Sequence, residues 1–303
     1  MNLNKNAVKI AEKMLERQEE FKIKFIELDN GTKIIDCGVE VKGSLEAGRL
    51  FAQACMGGLA RLKFSIKNFG DFSLPSIEVA TDFPALACVA SQKAAWSIKA
   101  ENFSALGSGP ARILAKIPEK IGYSEKAKEA LIALEAGKYP DEKICGSIAK
   151  ECGINPKNLY VLVARTASIA GSVQVSARAI ETALYKLDCL GYDVNAIESA
   201  FGSAPVAPVI DNDAKMMGIT NDMIIYGSKV FLYTKERIDA AKLPSSTSPA
   251  YGKPFSEIFR EANYDFYKIN PAIFAPAEVY VNNTKAGRIN PEMIRKSLSL
   301  VFK

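Results

Sequence analysis

A chain of 303 residues, 48% hydrophobic and 24% charged, has the balance of a soluble globular protein and can bury a substantial core in one large domain or two intertwined ones. The formal charge of +5 is mild and spread along the chain, without the arginine-dense, aromatic-interleaved runs that mark nucleic-acid binding. No histidine is present, which excludes Ser-His-Asp and Cys-His catalysis and every His-containing metal site.

Residues 5–20 read as an amphipathic helix with Ala7, Val8, Ala11, Met14 and Leu15 on one stripe. Strands at 22–28 and 32–36 flank Asp29-Asn30-Gly31, a strong hairpin signal. A helix from Leu45 to Ala60 is broken near its end by Gly57-Gly58, and two strand-like runs follow, Leu62–Ile66 and Ile77–Thr81. The Ala-rich stretch Pro84–Trp96 reads as helical. Residues 129–135 fit helix or strand. Pro140-Asp141-Glu142 opens a helix to about Glu151, and Leu159–Ala164 is an apolar strand, so a strand–helix–strand unit makes part of the sheet parallel. A small-residue loop at 166–172 leads into one long helix ending at Leu190. Met223–Tyr226 and Val230–Tyr233 flank Gly227-Ser228 as a tight hairpin. Residues 244–255, with three prolines, three serines and a glycine, read as a mobile surface loop or a ligand-side lid. A short helix, a strand at 277–282 and a terminal helix opened by Pro291 complete the chain. Hairpins near both ends with a strand–helix–strand unit between them indicate an α+β fold, a layered α/β/α arrangement with mixed sheets.

The candidates for chemistry start with Gly107-Ser108-Gly109-Pro110-Ala111-Arg112. Glycine and serine free the backbone and proline suits a first helical turn, so the loop reads as a helix start suited to an anionic group, with Ser108, Gly109 and Arg112 as contacts, or else as an ordinary turn. It lacks the Lys-Ser/Thr of a Walker loop and the third glycine of a dinucleotide fingerprint. Ser168 lies in the second small-residue loop, which offers a similar helix start. On the long helix Gln174, Arg178, Glu181 and Tyr185 form a polar stripe, and Arg178 sits three residues before Glu181, where it orients that carboxylate in a pocket or forms a solvated ion pair. Lys93 is a long cation in a small, apolar helix, placed to touch ligand or to snorkel to solvent. Tyr264-Asp265-Phe266-Tyr267-Lys268 is dense in aromatics that suit stacking on a flat ring or a core turn. Cysteines at 37, 55, 88, 145, 152 and 189 form no CxxC pair and read as reduced, buried thiols. The one acidic cluster, Asp211-Asn212-Asp213, lacks the rest of a calcium loop, so no metal site is expected. No apolar run approaches a membrane span, and residues 1–24 mix charge throughout, which points to the cytoplasm.

Eight blocks in order resemble methenyltetrahydromethanopterin cyclohydrolases: Asp36-Cys37-Gly38-Val39-Glu40, Cys55-Met56-Gly57-Gly58-Leu59-Ala60, the Gly107–Arg112 segment, Thr166-Ala167-Ser168-Ile169, Gly171-Ser172-Val173-Gln174, Ser176-Ala177-Arg178, Tyr251-Gly252-Lys253-Pro254-Phe255 and Tyr264–Ile269. The resemblance implies reversible hydration of a 5,10-methenyl-tetrahydromethanopterin to the 5-formyl compound, with the pterin as substrate and no prosthetic group. It also implies a homotrimer of α and β layers, with a cleft between intertwined subdomains, approximately 1–100 plus 200–303 and 101–199. Arg178 and Glu181 are implied as catalytic, and Lys93 as approaching the substrate. The remaining expected substrate contacts are Ser108, Gly109, Arg112, Ser168, Gln174, Tyr264 and Asp265. The competing readings are another pterin or folate one-carbon enzyme and a non-catalytic binder of phosphate ligands.

Overall fold

Asn2 accepts the Lys5 N–H and caps α1 (Leu3–Leu15), whose stripe of Leu3, Ala7, Val8, Ala11 and Met14 is buried. A short turn of helix, α2 (Gln18–Phe21), precedes the expected hairpin of β1 (Lys24–Glu27) and β2 (Lys33–Gly38), and α3 (Leu45–Cys55) follows with Ser44 as its cap. The chain then supplies two strands, β3 (Arg61–Asn68) and β4 (Ser73–Thr81), to a second sheet. It continues through a π-helix (Ala85–Gln92), β5 (Trp96–Ala100), β6 (Phe103–Ser108), the single turn α4 (Ala111–Leu114), β7 (Ala130–Glu135), α5 (Glu142–Glu151), β8 (Leu159–Ala164) and α6 (Ile169–Ser176).

The computed structural model describes residues 1–117, 121–265 and 268–301. It divides into two units, Met1–Arg61 with Leu86–Gln174 and Leu62–Ala85 with Val175–Lys303. The first unit holds a six-stranded sheet in the order β1-β2-β8-β7-β6-β5, with β2, β8 and β7 parallel and the outer pairs antiparallel. Strand alternation divides its core in two. Ile35, Leu131, Ala133 and Leu162 face α1 and α3, whereas Ile34, Ile132, Leu134, Val161 and Val163 cluster with Ile144 and Ile148 of α5. This is the α/β/α layering, and burial on both faces explains why β7 and β8 read as unbroken apolar runs.

The second unit contains α7 (Ala179–Cys189), β9 (Ile197–Pro205), α8 (Asp213–Gly227), β10 (Lys229–Thr234), α9 (Phe255–Glu261), β11 (Glu278–Val281), β12 (Thr284–Gly287) and α10 (Pro291–Leu298). Its sheet runs β12-β11-β10-β9-β4-β3 and is also mixed, β10 and β11 being parallel. Neither sheet closes into a barrel.

Several local expectations give way to tertiary structure. Met223–Tyr226 is the end of α8, not a strand, because α8 is buried almost all round and so lacks the amphipathic period that marks a helix. Pro84–Trp96 is helical only to Gln92, and Trp96 opens β5 by pairing with Gly107. The segment 244–255 is tied down rather than free. Ser245 donates to the Ile225 carbonyl, Tyr226 donates to the Lys253 carbonyl, and the Lys186 ammonium reaches Thr247 at 3.0 Å.

Asp222 of α8 accepts from the Phe255 N–H and the Ser297 hydroxyl, both at 2.8 Å, and joins α8 to α9 and α10. Burial pushes its carboxyl up to about 7; Glu257 adds to the rise, and the two hydrogen bonds and Lys296 oppose it. A folded value above the unfolded one, about 3.9, favours the native state below that lower value and withdraws the benefit as pH climbs to about 7. Asp222→Asn should therefore flatten the fall in melting temperature between pH 4 and 7, measured by circular dichroism. An unchanged profile would discount the buried carboxyl.

Candidate active site

The long helix expected from about Val173 to Leu190 is two helices. After Ser176 the backbone turns at Ala177 and Arg178 (φ −91°, ψ 7°), and α7 begins at Ala179. No local breaker dictates this; both residues favour helix. The second unit supplies the reason. Ser176 donates to the Pro205 carbonyl at 2.7 Å, and Ile180 comes so close to β9 that a Cβ on Gly202 would lie 2.7 Å from its side chain. Only glycine leaves that room, so α7 starts afresh where it can seat on β9.

The restart places Arg178 at the cap position of α7 and Glu181 in its first turn, where the helix dipole favours negative charge. Arg178 Nη1 lies 3.2 Å from Glu181 Oε2, with the two side chains 11% and 13% exposed. The pair is therefore largely withdrawn from solvent, unlike a surface ion pair. One turn on, Tyr185 stays a neutral phenol: burial first, then Cys189 and the charges of Glu181 and Asp188, push it up to about 12. The expected stripe is thus kept from Arg178 to Tyr185. Gln174, in α6, belongs to a different cluster.

That cluster lies in the first unit at the carboxyl ends of the parallel strands, the usual place for a ligand in such a sheet. Glu135 ends β7. Its carboxylate accepts from Thr166 at 2.5 Å and from Gln174 Nε2 at 3.0 Å. Sequence reasoning missed Glu135. The signal was present, a carboxylate closing an apolar strand just before a strand–helix–strand crossover, but the strand itself was ambiguous. Ser168, one residue before α6, caps it by accepting the Gly171 N–H at 2.9 Å and donating to the Arg165 carbonyl at 2.7 Å. At the end of β2 the buried Asp36 carboxylate accepts four backbone N–H groups, from Gly38 through Val41, and the Tyr139 hydroxyl at 2.6 Å. The first resemblance block is therefore a clamp on the loop after β2.

The Gly107–Arg112 segment joins a strand end to a single helical turn. Gly107 and Ser108 are strand residues of β6, and Ser108 is buried opposite Ala133. Gly109, at φ +100°, turns the chain and spends its N–H on the Ser91 carbonyl at 2.8 Å. The helix that follows is one turn. Arg112 is 0% exposed, and its Nη1 donates to the Val89, Ala90 and Ser91 carbonyls at the end of the π-helix. These carbonyls have lost intrahelical partners and attract the cation. Gly109 and Arg112 are thus engaged with the backbone at the end of the π-helix, and Ser108 with the sheet.

Lys93 lies just past the π-helix, half-buried, its N–H bonded to the Cys88 carbonyl five residues back. Tyr264 is 62% exposed and edges onto Phe259, while Asp265 lies 3.8 Å from the Lys268 ammonium. Phe266 and Tyr267 of the aromatic segment fall outside the described residues. Five of the six thiols are buried, Cys189 being the exposed exception, and burial pushes those of Cys145 and Cys152 up to about 12, where they are poor nucleophiles. Among the described residues no group of three His, Cys, Asp or Glu could hold a metal ion, and no helix is long and apolar enough to cross a membrane.

A family model described as Cyclohydrolase (MCH) matches residues 2–298. Proteins named methenyltetrahydromethanopterin cyclohydrolase are similar along their whole length. That of Methanocaldococcus jannaschii is 45% identical over 98% of this chain and 98% of its own. That of Methanothermobacter marburgensis is 46% identical over 99% and 100%, and that of Methanospirillum hungatei 45% over 98% and 98%.

Proposed function

The chain belongs to the methenyltetrahydromethanopterin cyclohydrolase family, and from that premise we propose that Glu181, oriented by Arg178, is the proton-transfer group of its reaction. The reaction is the family's, hydrolysis of the cyclic amidine C–N bond of 5,10-methenyl-tetrahydromethanopterin to give the 5-formyl compound, and its reverse. The observation that carries the residue assignment is the desolvated Arg178–Glu181 pair in the first turn of α7.

The methenyl bridge is an amidinium-like cation and already electrophilic. It requires a water held near its carbon and relieved of a proton as the C–O bond forms. Glu181 Oε1, the oxygen opposite the one that Arg178 holds, is the atom we assign to that proton. The carboxylate also attracts the cation. In the tetrahedral adduct the bond to one nitrogen breaks and its electron pair returns to that nitrogen, which takes the proton back from Glu181. The adduct's hydroxyl releases its proton as the formyl C=O forms, so one proton leaves overall and the charge of the cation is balanced. Arg178, hydrogen-bonded to Glu181, brings its positive charge to the developing oxygen.

Lys93, Tyr264 and Asp265 are retained in this proposal as substrate contacts, since each is at least partly exposed. Ser168 and Gln174 act through the loop and through Glu135. A homotrimer in the cytoplasm is part of the same proposal, and sedimentation equilibrium at three times the chain mass checks the assembly.

The test is the loss of the methenyl compound's near-ultraviolet absorbance. Wild-type protein consumes it, and Arg178→Ala should lower kcat by at least about a hundredfold, within the range of one lost electrostatic stabiliser. Near-normal turnover of Arg178→Ala would remove the guanidinium from the mechanism.

A further inference from the structure

A row of side chains crosses four strands of the second unit's sheet. The register sets Glu78 opposite Ser203, Ser203 opposite Lys229, and Lys229 opposite Glu278, so all four project from one face. Gly202, the neighbour of Ser203, faces the other side, where Ile180 of α7 packs. The row is therefore on the face of the sheet away from Arg178 and Glu181.

Alongside Ser203 and Lys229, the middle members of this row, is a cavity of about 320 Å³, lined also by Lys67, Asn68, Phe69 and Ile289, among others. The Lys67 ammonium donates to the Ser203 hydroxyl at 2.5 Å and stands 3.9 Å from Glu78, which Lys63 pairs at 3.1 Å. Lys229 and Lys285 share Glu278, both at 2.8 Å. Four ammonium groups thus meet two carboxylates, a local excess of positive charge. Asn68 accepts from the Ser73 hydroxyl, which leaves its amide NH₂ as a donor.

We propose that this cavity binds a small phosphate-bearing dianion between the ammonium groups of Lys67 and Lys229, with the Ser203 hydroxyl and the Asn68 amide as neutral donors. Lysine recognises phosphate as a point charge, and charge-assisted hydrogen bonds are about twice as strong as neutral ones. The space is near the lower end of ligand pockets, roughly 300–1,000 Å³, and so suits inorganic phosphate or a sugar monophosphate better than a nucleotide. Burial first, and then the like charges of Lys229 and Lys63, lower the Lys67 pKa against the opposing pull of Glu78. A bound dianion would relieve that repulsion. The inference does not depend on the assignment of Glu181.

Isothermal titration calorimetry of the full chain in chloride buffer tests it, with inorganic phosphate and ribose 5-phosphate as probes. Saturable binding is expected, weakened at least about tenfold (~1.4 kcal/mol) in Lys67→Met and in Lys229→Met, and largely kept in Lys67→Arg. Tighter binding of the ribose compound would identify an organic monophosphate as the ligand, and equal binding the bare ion. Absence of saturable binding of either probe to wild type would overturn the proposal, as would equal binding by wild type and both methionine variants. Should the methionine variants not fold, tungstate soaked into wild-type crystals decides the matter. Anomalous density between the two ammonium groups supports the site, and density only elsewhere refutes it. Cyclohydrolase activity of the Lys67 variants should match wild type, which separates this site from the reaction.

Discussion

Glu181→Gln should lower kcat by about a thousandfold or more, with a much smaller rise in the Michaelis constant from the lost attraction to the cation and a melting temperature close to wild type. The amide is nearly isosteric and still accepts the Arg178 hydrogen bond, now 3.2 Å long, so the start of α7 should persist. It cannot take a proton from water. General-base contributions run to about 10²–10⁴, and here the same group is assigned proton return to the leaving nitrogen as well, which places the loss toward the upper end. Stopped-flow loss of methenyl absorbance, with the Michaelis constant measured alongside, gives the split directly. Turnover within tenfold of wild type would show that another group, with Glu135 the nearest in kind, moves the proton.

Arg112→Ala should cost stability rather than affinity. The guanidinium is fully buried and bonded to three successive carbonyls of the π-helix terminus. Truncation removes this donor from the Val89 and Ala90 carbonyls, while Ser91 keeps the Gly109 N–H, and it leaves a void where the buried side chain was. Unsatisfied buried groups cost about 1–3 kcal/mol, and large-to-small core changes about 2–5, so a loss of roughly 3–5 kcal/mol is expected. Urea unfolding should show the shift, with kcat and the Michaelis constant of the folded protein little altered. A raised Michaelis constant at unchanged stability would restore the anchoring role that composition alone suggested.

Elements with a complete local signature were legible in the chain. The helices α1, α3 and α5 carry caps and apolar stripes, the β1–β2 hairpin carries Asn30-Gly31, and β8 is a bounded apolar run. Strands β5 and β6 were not legible, because Trp96–Ser108 mixes small and charged residues and becomes a hairpin only by pairing onto β7. Strand β9 was missed for a similar reason: its Gly202 and Ser203 are chosen for what packs over each face, and neither favours a strand. Arg178 and Glu181 are identifiable as neighbours at a spacing of three, which by itself implies one continuous helix. The contact survives because the cap position and third residue of a helix are also close.

By itself the sequence determined the absence of imidazole chemistry, the α+β class and the eight ordered blocks that mark the family, since residue identity and local periodicity suffice for each. Only the tertiary structure decided which polar residues meet. Arg112, placed by its glycine-rich surroundings among ligand contacts, is drawn inward by three carbonyls that belong to a segment about 20 residues earlier. Glu135 becomes a held carboxylate only when Thr166 and Gln174 arrive from the far side of a crossover. The row from Glu78 to Glu278 exists only in the register of four strands. A hydrogen bond or an ion pair depends on distance in space, and across such separations the order of residues along the chain does not specify it.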